Sequence, residues 1–101
     1  MTLTVKKITW SANAKAQMKS AYDYIRKDSP KNAVKVRSDI AAITKMLPLH
    51  PEIYSLDKYK EHNDGSYRAF EKHHYRVTYR ILEKEILILR IRHTGMEPLV
   101  F

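Results

Sequence analysis

Five arginines and a histidine in the last third of this chain are spaced for work on phosphate. Arg76 and Arg80 alternate within Tyr75–Ile81 (YRVTYRI), Arg90 and Arg92 within Ile86–His93 (ILILRIRH), and Arg68 precedes both runs. Residues two apart share one face of a β-strand. Guanidinium groups gathered on one face bind phosphate oxygens and stabilise charge that develops on phosphorus. Arg68, Arg76, Arg90 and Arg92 can supply such stabilisation, and with Arg80 they form a candidate nucleic-acid-binding set. Arginine keeps its proton in proteins, so it is a poor base or acid. General acid–base chemistry on a phosphate ester needs both, and His93 is the nearby residue whose ordinary pKa suits proton transfer. Each residue also has a plainer reading. The arginines can be solvated strand residues, and His93 can be a hydrogen-bonded residue closing the edge of the core. His73 and His74 have no partner at metal-ligand spacing, so neither a metal nor a cofactor is expected.

Composition narrows the partners. Nineteen Lys and Arg against eleven Asp and Glu leave a net charge of +8, with a pI near 9.8. That excess favours polyanionic partners. Cysteine is absent, which excludes a disulfide framework and thiolate metal sites. The first residues, MTLTVKK, lack the apolar core of a signal peptide, and no run is long enough to cross a bilayer. The expectation is a cytoplasmic protein with no membrane association. Its 101 residues suit a single domain, 1–101, with one modest core.

The elements that must position these residues follow from periodicity. Leu3–Trp10 reads as a strand with Ile8 and Trp10 on one face. Ser11 is an N-cap for a helix to about Lys27, with Ala14, Met18, Ala21, Tyr22 and Ile25 in one apolar stripe. Ser29-Pro30 is an N-cap followed by proline at the first helical position. The second helix buries Ala33, Val36, Ile40, Ile43 and Leu47 and stops before Pro48, so the two helices pack as an antiparallel hairpin. Residues 49–66 read as a loop with a short helical turn around Glu52–Leu56. A three-stranded meander then runs from Tyr67 to His93, and the segment Thr94–Phe101 leaves the sheet.

Strand parity predicts the faces. Tyr75, Val77, Tyr79 and Ile81 share one side of their strand, and Leu87, Leu89 and Ile91 share one side of the next. Both sets belong on the helix-packed face, because a one-residue slip would move a whole set into water. This requires three-residue loops, Glu83–Glu85 and Lys72–His74. It places Arg68, Phe70, Arg76, Thr78, Arg80, Ile86, Ile88, Arg90 and Arg92 together on the opposite face. The fold class is α+β: an N-terminal strand and a helix hairpin on one face of an antiparallel sheet. The first strand is expected to join at or near the last.

Strand, helix hairpin and meander in that order, with YRVTYRI, ILRIRH and YDYI at Tyr22–Ile25, resemble the RelE/ParE family of bacterial toxins over nearly the whole chain. The resemblance implies the toxin of a type II toxin–antitoxin pair, bound by a small acidic antitoxin and reaching operator DNA only through it. Toxins of this family either cleave mRNA on the ribosome or inhibit DNA gyrase by binding. Ribosome-dependent mRNA cleavage is the leading expectation, gyrase inhibition the alternative, and a non-toxic, antitoxin-binding member the third. For the nuclease, the resemblance gives catalytic positions to Arg68 and Arg76, with His93 as the candidate for proton transfer. Three positions depart from the nuclease pattern: Phe70 stands where a second basic residue is often carried, Met96 where an arginine is expected, and Phe101 where a tyrosine is.

Overall fold

The computed structural model describes residues 6–101. The part of the first strand before Lys6 lies outside them. β1 (Lys7–Trp10) leads into helix α1 (Ala12–Asp28) and helix α2 (Pro30–Met46). After a long loop come β2 (Tyr67–Lys72), β3 (Tyr75–Ile81) and β4 (Glu85–His93), then a single 3₁₀ turn, Thr94–Met96. Among the described residues no helix is long and apolar enough to cross a membrane.

Side-chain capping sets the helix ends. The Ser11 hydroxyl accepts the Ala14 N–H at 3.0 Å and donates to the Leu89 carbonyl at 2.8 Å, fixing the start of α1 against β4. Ser29 alone joins the helices. Its N–H donates to the Ile25 carbonyl at the end of α1, and its hydroxyl accepts the Asn32 N–H in the first turn of α2. A one-residue link forces the helices antiparallel. They bury Ala14, Met18, Ala21, Ala33, Val36, Ile40 and Leu47, with Ile25 and Ile43 half-buried, as the 3.6-residue spacing predicts.

The sheet has the order β1-β4-β3-β2. β1 joins β4, with Ile8 and Trp10 packed against the core. It runs parallel to β4, so the sheet is mixed rather than wholly antiparallel. Beneath the helices the sheet buries Phe70, Tyr75, Val77, Tyr79, Ile86, Ile88 and Ile91.

The register departs from uniform alternation at two places, each with a local cause. The β2–β3 turn has two residues, His73 and His74, at φ 52° and 67°, as a type I′ turn requires. An even loop shifts β2 by one residue, pairing Arg68 with Tyr79 and Phe70 with Val77. Arg68 and Phe70 therefore lie on the core side, opposite to the expected face. The β3–β4 loop is also shorter than expected: Leu82 N–H bonds to the Glu85 carbonyl, leaving Glu83-Lys84 at the tip. Between Thr78 and Tyr79 the register then shifts by one, from Thr78↔Arg90 to Tyr79↔Ile88. Leu89 is the extra residue of this β-bulge. It puts Ile86, Ile88 and Ile91 in the core, all 4% exposed or less, while Leu87 and Leu89 are only half-buried.

The loop before β2 holds no helical turn. Leu56 instead bridges to Arg68 along the free side of β2, with Asp57 N–H and Ala69 N–H bonding to the carbonyls of Tyr67 and Ser55. The loop thus covers an edge that would otherwise present unpaired backbone.

Candidate functional site

The side of the sheet away from the helices carries Arg76 and Arg80 from β3 and Arg90 and Arg92 from β4. Parity foresaw these four; what covers them it did not. Residues 56–66 fold across this face, and at their centre lies Asp57, 2% exposed. One Asp57 oxygen accepts from Arg76 Nη2 at 2.8 Å and the Tyr59 N–H at 3.0 Å. The other accepts the Thr78 hydroxyl at 3.0 Å. Arg76 Nη1 also donates to Glu71 across the β2–β3 pair at 3.0 Å, and its guanidinium lies 4.9 Å from the Tyr59 ring. Burial pushes the Asp57 carboxyl up, but Arg76 and the hydrogen bonds from Tyr59 and Thr78 outweigh it and hold the group below the usual range. Burial likewise works against the Arg76 charge, and the pairs with Asp57 and Glu71 outweigh it.

The other three arginines stand nearer the rim. Arg80 lies over the Tyr67 ring at 4.7 Å, donates to the Ser66 hydroxyl at 3.2 Å and faces Asp64 at 3.7 Å. Arg90 lies 3.8 Å from the Phe101 ring centre and donates to the Leu99 carbonyl at 2.9 Å. Burial there lowers its pKa. Arg92 donates to the Met96 carbonyl at 2.6 Å and faces Glu97 at 3.7 Å. Cations and aromatic rings therefore alternate across this face.

Arg68 is elsewhere. From the core side of β2 its Nη1 donates to the Tyr54 carbonyl at 2.8 Å, pinning the loop that packs Tyr54 on Phe70 at 5.2 Å. Tyr79 holds the same loop through its hydroxyl, which donates to the Pro51 carbonyl at 2.8 Å. Burial pushes that phenol up to about 12, so it keeps the proton it donates. His93 keeps the parity that puts it on the side of Ile91. Its Nδ1 accepts the Gly95 N–H at 3.0 Å, and its ring meets Tyr75 edge-on at 5.3 Å. The structure therefore does not bring Arg68, Arg76 and His93 together: Arg68 and Arg76 lie on opposite faces of the sheet. Among the described residues no group of three His, Cys, Asp or Glu side chains can hold a metal ion.

A second feature escaped the sequence. Among the described residues no strand neighbours the edge of β4 beyond Trp10, and the Gln17 side chain accepts the Ile91 N–H at 2.7 Å in place of one. Between this edge and α1 lies a groove of about 730 Å³ lined by Ala16, Ser20, Tyr24, Tyr75, His93 and Met96, among others. Small residues at i and i+4 of α1 open it, a pattern visible in the sequence once the edge is known to be free.

Comparison with known proteins agrees with this architecture. A chain described as belonging to the chromosomal ParDE TA system from P. aeruginosa superposes with a TM-score of 0.69 at 24% identity, covering 90% of this chain and 98% of that one. The YoeB dimer from Staphylococcus aureus gives a TM-score of 0.57 at 19% identity, covering 87% and 95%. At these identities the likeness is one of fold. No curated protein matches in sequence. The family model for the ParE toxin of the type II toxin–antitoxin system parDE matches residues 8–98. With nearly the whole chain so matched, this protein belongs to the ParE toxin family of type II toxin–antitoxin systems.

Proposed function

We propose that this toxin acts by binding its target rather than by cutting RNA, that the target is DNA gyrase, and that a small acidic antitoxin restrains it in the cytoplasm. The observation that carries the reading is the state of Arg76. A guanidinium that stabilises a phosphorane must be free to meet its oxygens, and this one is buried and shared between two carboxylates. Arg68 on the other face cannot join it, and His93 has Nδ1 committed to a backbone cap. Met96 and Phe101, in place of the arginine and tyrosine of the nuclease pattern, point the same way. Arg80, Arg90 and Arg92 act in this reading as rim charges that steer an anionic partner. Operator DNA is reached only through the antitoxin.

Two reconstituted assays test it. Purified protein added to gyrase is expected to block supercoiling, and added to ribosomes programmed with mRNA it is expected to leave the message intact. Cleaved message with unimpaired supercoiling would replace this reading with the ribosomal one.

A further inference from the structure

The segment after β4 turns back across the outer face, held at its two ends and by Arg90, which donates to the Leu99 carbonyl at 2.9 Å. At one end the Phe101 N–H donates to the Tyr59 carbonyl at 3.0 Å and its carbonyl accepts the Glu61 N–H at 2.6 Å. Its ring lies against Arg90, edge-on to Tyr67 at 6.1 Å and 5.4 Å from the Lys60 ammonium. At the other end Glu97 faces Arg92 at 3.7 Å. Leu99 and Val100, between them, are exposed.

We propose that this surface, framed by Lys60, Tyr67, Arg90 and Arg92, is a docking site for an extended segment of a partner protein carrying an acidic residue and, four positions later, an aromatic one; in this structure the chain's own Glu97–Phe101 occupies it. The self-occupied state displays what the site selects. Paired main-chain bonds to Tyr59 and Glu61 suit a polypeptide in extended form. The ring slot suits an aromatic side chain beneath a cation, and Arg92 suits a carboxylate. The intramolecular fit is also imperfect: Glu97 Oε2 accepts the Leu99 N–H at 2.8 Å, but the buried Oε1 stands 3.7 Å from Arg92 and has no hydrogen-bond partner among the described residues. An under-satisfied buried carboxylate weakens the contact that holds it, leaving the segment open to exchange. The inference is independent of the toxin's target.

The test uses the full-length chain and a fluorescein-labelled peptide of sequence GMEPLVF, read by anisotropy. Phe101→Ala removes the competing ring, and the peptide is expected to bind this variant roughly tenfold or more tightly than wild type, as when a tethered competitor is removed. Adding Arg90→Ala is expected to abolish the gain, as is replacing the peptide's phenylalanine with alanine. Thermal unfolding checks that Phe101→Ala is folded. Glu97→Ala, which frees the other end, serves as the second variant and is expected to raise affinity in the same direction. Equal binding to wild type and both variants, or a gain that survives Arg90→Ala, would overturn the proposal. So would a single-stranded oligonucleotide that binds the Phe101→Ala variant more tightly than the peptide does.

Discussion

Asp57 and Arg76 form a buried ion pair, and hydrogen bonds must offset the water each group loses. Asp57 meets this condition with three donors, from Arg76, Tyr59 and Thr78. Arg76 is satisfied through Nη1 and Nη2, while its buried Nε has no partner among the described residues. Removing one partner leaves the other charged and buried, so Asp57→Ala is expected to cost about 3 kcal/mol in denaturant unfolding, with Glu71 limiting the loss. The pH dependence has a definite sign. The folded-state pKa of Asp57 is depressed, so its contribution is complete above the unfolded carboxylate pKa and is lost as pH falls through the folded one. Asp57→Asn should therefore be less stable than wild type at neutral pH, the gap closing as the medium is acidified. An acid titration followed by circular dichroism checks this, and a gap that widens in acid would contradict it. Sequence reading could not find the pair. Asp57 lies in a stretch without period, and a carboxylate 19 residues from its partner leaves no trace in spacing.

At the scale of elements, the helices were legible and the sheet register was not, for one physical reason. A helix stripe tolerates an error of one residue at its ends, whereas strand parity inverts with every added or removed loop residue. The His73-His74 turn lacks the Asn-Gly signature of a type I′ turn, so a three-residue loop was the natural expectation. That turn places two non-glycine residues at positive φ. Replacing them with Asn and Gly should raise stability by about 1 kcal/mol or more by relieving that cost. Loss of the half-exposed His73–Asp39 contact should reduce the gain only slightly. Thermal unfolding of the double variant measures the balance. The bulge at Leu89 was equally hidden, since ILIL reads the same in either register. Ile88→Ala should cost about 3 kcal/mol and Leu87→Ala about 1 kcal/mol or less, a contrast that uniform alternation would reverse.

For the molecule as a whole, charge and topology together decide what the basic face can do. The net charge of +8 favours an acidic partner at long range, and affinity for the antitoxin should fall as salt rises. Within that field, however, Arg76 is buried and shared between Asp57 and Glu71. Alternating arginines announce a positive face in the sequence, but which of them reach solvent depends on a loop and a terminal segment that no period describes. The account stands or falls on whether Arg76 serves the fold or the chemistry. The double variant Asp57→Leu/Arg76→Met replaces the buried pair with apolar side chains, a change that is often neutral or stabilising where single removals are not. Growth arrest on induction of this variant, compared with wild type at matched soluble expression, is the direct measurement. If Arg76 holds the fold, the variant arrests growth as wild type does. A folded, soluble double variant that leaves cells growing would contradict the account and return Arg76 to the reaction.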